Sequence, residues 1–223
     1  MARKLTGRGE NSLPFHLLQY IEEIKYISLK KGTIMTEIKK KVHAANADYV
    51  SRKGASLHPH MKFAILTCMD ARMDPVQFAG LSDDAYVIRN AGGRATDDAI
   101  RSLVISAKML GTREWFVIHH TDCGMTTFTN ADMARLLKES LGPSALTDKG
   151  WENTTNEPGT ASPVAMDFHP IQDLRQSVID DVKAIRNHPL VSRKIPIHGY
   201  LYDIHTGALT EIPEASEAGK AEE

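Results

Sequence analysis

The sequence is short of several features that would otherwise fix its class. Only two of its 223 residues are cysteine, Cys68 and Cys123. One pair cannot make the disulfide framework of a small secreted domain, so a reduced, intracellular compartment is expected. Aromatic residues make up 6% of the chain and the formal net charge is -1. No basic stripe is interleaved with aromatics, and no nucleic-acid partner is expected. A run of about 18 apolar residues is missing too, so no membrane-spanning helix is expected. Arg3, Lys4 and Arg8 raise the question of a targeting segment, but no apolar core follows them and Glu10, Glu22 and Glu23 interrupt the stretch. A cytoplasmic location is the expectation, with a mitochondrial one as the minor alternative.

What is present is ordinary for a globular chain: 42% apolar and 25% charged residues. The length suits one α/β domain with a substantial core. Leu17, Leu18, Ile21 and Ile24 have helical spacing within residues 12–29. A second helix is expected from Thr36, with Ile38, Val42, Ala45 and Tyr49 on one face. The expected division is an N-terminal helical extension over 1–34, one domain over 35–213, and a disordered tail over 214–223.

The domain reads as strands alternating with helices. Phe63-Ala64-Ile65-Leu66-Thr67 is a short apolar run ending at Cys68, the pattern of a buried parallel strand. Ala85 to Ile88 forms a second strand, which ends at Arg89-Asn90-Ala91-Gly92-Gly93, a turn. Thr96 then caps a helix with Asp97 and Asp98 in its first turn, where carboxylates complement the helix dipole. Glu114 to His119 is a third strand and runs into His120-Thr121-Asp122-Cys123-Gly124. Residues 131–140 read as helical and 142–170 as a long loop. A helix carrying Ile171, Leu174, Val178, Val182 and Ile185 follows, then a last strand from Ile195 to Ile204. This alternation predicts a three-layer α/β fold around a mostly parallel sheet. Ligands in such sheets sit beyond the carboxyl ends of the strands, where Cys68, His120 and Cys123 converge.

Two thiolates and one imidazole make a three-ligand zinc set with a fourth position open to water. Zinc lowers the pKa of that water to about 7, giving a hydroxide nucleophile at neutral pH. The spacing His120-x-x-Cys123 lets both side chains turn to one ion, and Cys68 arrives from another strand. The plainer alternative is a pair of buried core thiols, which leaves the shared strand-end placement with His120 unexplained. His119 should face away from the metal, because successive strand residues point to opposite faces. Asp70 and Arg72 follow Cys68 at i+2 and i+4. Arg72 can hold the Asp70 carboxylate in a bidentate fork and keep it ionised, ready to accept the proton of the hydroxide.

Cys68-Met69-Asp70-Ala71-Arg72 and His120-Thr121-Asp122-Cys123-Gly124 resemble the two signature motifs of the β-carbonic anhydrases. Arg89 to Gly93 and Thr96 to Ser102 are similar to the family as well, and the resemblance runs from about Lys62 to Ile204. It is strongest to a short-chain branch that also holds carbonyl sulfide and carbon disulfide hydrolases. The resemblance implies a β-carbonic anhydrase-like fold with N-terminal helices that pack on a partner copy, in a homodimer or homotetramer. It implies one Zn2+ per subunit on Cys68, His120 and Cys123, with Asp70 and Arg72 as catalytic dyad and Asp70 as a further zinc ligand in a closed state. Asn90, Gly92 and Gly93 are the candidates for the substrate pocket.

Three functions compete. The first is zinc-dependent reversible hydration of carbon dioxide to bicarbonate. The second is hydrolysis of carbonyl sulfide or carbon disulfide to hydrogen sulfide and carbon dioxide, by the same nucleophile on a similar small, neutral, linear molecule. The third is a non-catalytic zinc-stabilised binding protein, which would not need the Asp70–Arg72 dyad.

Overall fold

The computed structural model describes residues 62–79, 85–162 and 164–222. The expected helices over 12–29 and from Thr36, and the boundary at residue 35, lie outside these residues.

Five strands form the main sheet. In chain order they are β1 (Phe63–Cys68), β2 (Ala85–Asn90), β3 (Glu114–His120), β6 (Ile197–Tyr202) and β7 (Leu209–Glu211). Their spatial order is β2-β1-β3-β6-β7. The first four are parallel, and β7 returns antiparallel on β6 through the turn at Thr206-Gly207. β1 lies inside the sheet and is buried along its whole length, which explains why FAILTC is an unbroken apolar run rather than an alternating one.

The helices follow from local chemistry. α1 (Pro75–Phe78) is a single turn capped by Asp74. α2 (Asp97–Leu110) starts at Thr96, whose hydroxyl accepts from the Ala99 N–H, and stops at Gly111. α3 (Asn130–Glu139) opens with a reciprocal capping box between Thr129 and Asp132. α4 (Leu174–Asn187) is capped by Asp173 and buries Val178, Val182 and Ile185 against the sheet. Trp115, Val117, Leu66 and Leu103 complete that core on one face of the sheet. The other face carries Phe63, Ile65, Ile118, Met125 and Ile171 beside the two cysteines. No described helix is long and apolar enough to cross a membrane.

Two expectations are corrected. The tail does not dissolve after Pro213: Pro213–Ala218 is a helix, α5, with Ala215 fully buried. Its composition is polar, but Ala215 and Gly219 are small enough to lie against β6. A Cβ at Gly219 would stand 2.0 Å from the Ile197 carbonyl oxygen. The segment 142–170 is not loop throughout either. It contains a hairpin, β4 (Ser144–Thr147) and β5 (Gly150–Asn153). The short strands are too polar to show the alternation by which a strand is usually recognised.

Candidate metal centre

Register places the site. Cys68 is the partner of Asn90 across β1 and β2, and Thr67 is the partner of Ile118 across β1 and β3. The carboxyl ends of three neighbouring strands therefore meet, and the loops leaving them carry Cys68, Gly92 and His120 to Cys123. The ligand atoms of Cys68, His120 and Cys123 all lie within 4.8 Å of one another, and all three residues are buried.

The donor set fits zinc. Two sulfurs bound at about 2.3 Å in tetrahedral geometry stand roughly 3.8 Å apart. The Cys68 and Cys123 Sγ atoms are 4.0 Å apart, well beyond a disulfide bond. His120 Nδ1 lies 2.8 Å from the Thr121 carbonyl, so this nitrogen carries the proton and donates it. That leaves the Nε2 lone pair for a ligand. Nε2 is buried without a hydrogen-bond partner, an arrangement that costs free energy unless something binds there.

The sulfurs are prepared as thiolates. Cys123 donates to Cys68 and lowers its pKa against the effect of burial, with help from His120 and from the backbone N–H groups of Asp70 and Gly92. Cys123 is pushed up in turn, because it retains the shared proton next to a charged sulfur in a buried site. A divalent cation removes this conflict by binding both as thiolates.

Asp70 and Arg72 form the expected fork. Arg72 Nε donates to Asp70 Oδ1 at 3.0 Å and Nη2 to Oδ2 at 2.7 Å, while the Arg72 backbone N–H adds 2.9 Å to Oδ1. This grip holds Asp70 at about 2, below the usual carboxylate range. The segment achieves it by turning at Ala71-Arg72, not by staying extended as the spacing suggests. Asp70 Oδ2 is 3.8 Å from His120 Nε2. Held by Arg72 in this way, Asp70 stands beside the three-ligand cluster rather than within it.

The glycines are placed by steric need. Gly93 has φ +69, and a Cβ there would stand 2.8 Å from the Thr67 carbonyl carbon and 2.9 Å from the Cys68 nitrogen. Only glycine lets this turn lie directly on the strand that carries Cys68. Asn90 has a different task from the expected one. Its side-chain amide donates to the Arg94 carbonyl and accepts from the Arg94 N–H, both at 2.8 Å, so it closes the turn and has no free polar end for substrate.

His119 faces away from the metal, as alternation requires. It contacts Ser177 Oγ at 2.8 Å and Asp181 Oδ2 at 3.1 Å on α4. Sequence reasoning assigned no role to Arg89, which donates to the carbonyls of Cys68 (2.9 Å) and Asp70 (2.6 Å) and so clamps the metal loop from β2. Its place after an apolar strand, beside the Cys68 strand, was the available signal. Arg94, Ser177 and Asp181 were also missed, since an arginine after two glycines and polar residues on a helix give no local sign of where they point.

A family model described as carbonic anhydrase matches residues 63–209. β-Carbonic anhydrase 1 of Mycobacterium tuberculosis is 39% identical over 174 residues, covering 76% of this chain and 94% of its own. A carbon disulfide hydrolase of Acidianus is 32% identical over 179 residues, covering 73% of this chain and 82% of its own. The solved carbonic anhydrase of Streptococcus mutans has the same fold at a TM-score of 0.65 and 39% identity, covering 79% of this chain and 96% of that one. The chain belongs to the β-carbonic anhydrase family.

Proposed function

We propose that this protein is a zinc enzyme that catalyses the reversible hydration of carbon dioxide to bicarbonate. The observation that carries the reading is the buried, partnerless Nε2 of His120, grouped with two thiols and set beside a carboxylate held by arginine. Cys68, His120 and Cys123 would hold the ion, which when bound supplies a nucleophile from water at neutral pH. The rest is the work of the chain. Asp70 accepts the remaining hydrogen of the attacking oxygen and so aims its lone pair at the carbon. Arg72 keeps that carboxylate ionised and fixed. Water and carbon dioxide give bicarbonate and a proton, and the proton leaves to buffer.

A second reading has a specific motive. Relatives named carbon disulfide hydrolase match nearly as much of the chain as the carbonic anhydrases do, at 32% and 34% identity. Hydrolysis of carbonyl sulfide or carbon disulfide needs the same nucleophile and the same dyad. The stronger identity to carbonic anhydrases, 39%, favours carbon dioxide.

Two further features belong to the reading. β2 is the outer strand of the sheet among the described residues, and an open edge invites pairing with a second copy. A homodimer, or a homotetramer of two dimers, is the assembly proposed. Both thiols must remain reduced to bind metal, which suits the cytoplasm. The test compares carbon dioxide hydration by stopped flow with sulfide release from carbonyl sulfide and carbon disulfide, all on one zinc-loaded preparation. Faster carbon dioxide turnover supports the proposal, dominant sulfide release moves the protein to the second reading, and no turnover of any of the three leaves a zinc-stabilised binding protein.

A further inference from the structure

On the sheet face opposite the metal, a single carboxylate reaches toward two of the segments that carry the site. Asp181 lies on α4, one turn beyond Ser177, and its side chain is 7% exposed. Its neighbours Val178, Val182 and Ile185 are fully buried, so it is a charged group on the apolar face of a helix. A charge in that position is costly unless paired. The pairing is complete. Arg94 donates from Nε to Asp181 Oδ2 at 2.8 Å and from Nη2 to Oδ1 at 3.2 Å. Asp181 Oδ2 also stands 3.1 Å from His119 Nε2.

What Asp181 holds is connected to the ligands by the chain itself. His119 immediately precedes the ligand His120. Arg94 immediately follows the Gly92-Gly93 turn, where Gly93 lies on the Thr67–Cys68 backbone and the Gly92 N–H points at the Cys68 sulfur. The third arm of Arg94 donates to the carbonyls of His169 (2.9 Å) and Pro170 (3.3 Å), just before Ile171 bonds to the Met125 carbonyl. An apolar residue at 181 would serve the core as well as its neighbours do. The ion pair therefore needs another explanation, and its contacts supply one.

We propose that Asp181 is a positioning residue for the metal centre: through Arg94 it fixes the glycine turn that donates to Cys68, and through His119 it fixes the strand end that presents His120. The proposal rests on the reading that these residues bind zinc, but not on which substrate is turned over. In the carboxylate's absence the turn and the strand end keep their sequence but lose their common brace. Groups that support metal ligands at one remove typically change metal affinity by about 10–100-fold when lost.

The competing explanation is a purely structural ion pair between α4 and the sheet. The two differ in what happens when the pair is removed cleanly. Asp181→Asn leaves Arg94 buried without its counter-charge and confounds folding with positioning. The double variant Asp181→Asn with Arg94→Met removes both charges, a change that is often neutral for folding. We expect it to melt near the wild-type temperature, yet to release zinc to a competing chelator with at least tenfold weaker affinity. Its kcat should fall while KM changes little, since neither residue reaches substrate. A double variant with wild-type melting, and with zinc affinity and kcat within twofold of wild type, would overturn the proposal. If the double variant does not fold, Arg94→Lys decides. It keeps the charge opposite Asp181 but loses the planar fork that reaches the turn and the 169–170 carbonyls. At least tenfold weaker zinc binding there supports the proposal, and unchanged zinc affinity overturns it. Absence of carbon dioxide turnover in the wild-type protein would remove the functional reading and leave the zinc measurements valid.

Discussion

Arg72 is joined to Asp122 twice: Nη1 donates to the carboxylate at 2.9 Å and Nη2 to the backbone carbonyl at 2.9 Å. Asp122 sits between His120 and Cys123 and takes the left-handed backbone conformation, with φ 54. One guanidinium therefore binds both the loop after β1 and the loop after β3. The same group that holds Asp70 also ties together the two loops that present the metal ligands.

This double attachment separates the roles within the dyad. Asp70→Asn keeps the loop contacts but replaces the acceptor with an amide that can donate, so zinc content should stay near one per chain. Carbon dioxide hydration should fall by about 100-fold or more. Arg72→Ala should lower activity in the same direction and also weaken zinc retention, because the bridge between loops is lost. Metal analysis beside stopped-flow rates checks both, and wild-type turnover in Asp70→Asn would remove the aspartate from the chemistry.

The pH dependence follows from the direction of the Asp70 shift. Arg72 lowers its pKa to about 2, so the carboxylate is charged throughout the neutral and mildly acidic range and protonates only as pH falls toward that value. The ratio of wild-type to Asp70→Asn rates should thus be constant from about pH 5 to 9. Any acid decline in that window would belong to another group. A ratio that collapses near pH 5 to 6 would show that Asp70 takes up a proton there.

Removing a ligand should have a different signature from removing the dyad. Cys123→Ala takes away one of two thiolates and leaves His120 Nε2 with a weaker site. We expect most of the zinc to be lost on dialysis against a mild chelator, and activity to be lost with it. Near-stoichiometric zinc in Cys123→Ala would defeat the assignment of the three ligands.

The metal site was largely legible in the sequence because its parts are local. Cys68, His120 and Cys123 each end or follow an apolar strand, and Asp70 and Arg72 lie within four residues of a ligand. Period-two alternation alone separated His120 from His119. The supports were not legible, because they join residues far apart in the chain, as Arg94 and Asp181 do across 87 positions. Asn90 was misread for a related reason. Its amide closes a turn onto Arg94, and a side chain bonded to nearby backbone looks, in sequence, the same as one left open to a ligand.

The C-terminal helix, α5, was hidden by its polar composition, and its contribution can be measured. Arg186 on α4 is buried and donates to the carbonyls of Ser192, Ile195 and Gly219. Ending the chain after Ile212 removes Gly219 and uncovers the β6 surface under Ala215. Each buried hydrogen-bonding group left unpaired costs roughly 1–3 kcal/mol. The melting temperature should fall by on the order of 5–10 °C for a loss of about 2–3 kcal/mol. An unchanged melting temperature would return residues 213–222 to the status of a tail.

The segment 142–170 divides into two parts with different expected effects on substrate choice. The hairpin β4–β5 belongs to α3: Arg135 donates to the Trp151 carbonyl at 2.8 Å, Asn153 donates to the Leu136 carbonyl at 3.1 Å, and Trp151 Nε1 donates to the Thr127 carbonyl at 3.0 Å. Met166, expected to pack, is largely exposed. The closing stretch behaves differently. Asn130 fixes Asp167 and the Phe168 N–H, and Arg94 holds the next two carbonyls. Phe168 and His169 then wall a cavity of about 280 Å³ with Ile88, Asn90 and Ala91, one residue from the Gly92 N–H that faces Cys68. Linear triatomic molecules offer few hydrogen-bonding handles, so width and polarity near the metal must separate them, and small changes in an apolar wall are worth only about 10–200-fold. Phe168→Ala should therefore change the ratio of carbonyl sulfide to carbon dioxide turnover by several-fold with zinc content intact. Replacing the hairpin with a short turn should leave that ratio unchanged. The opposite pattern, a ratio moved by the hairpin and not by Phe168, would place the discriminating surface on the α3 side of the site instead of at the Asn90–Ala91 turn.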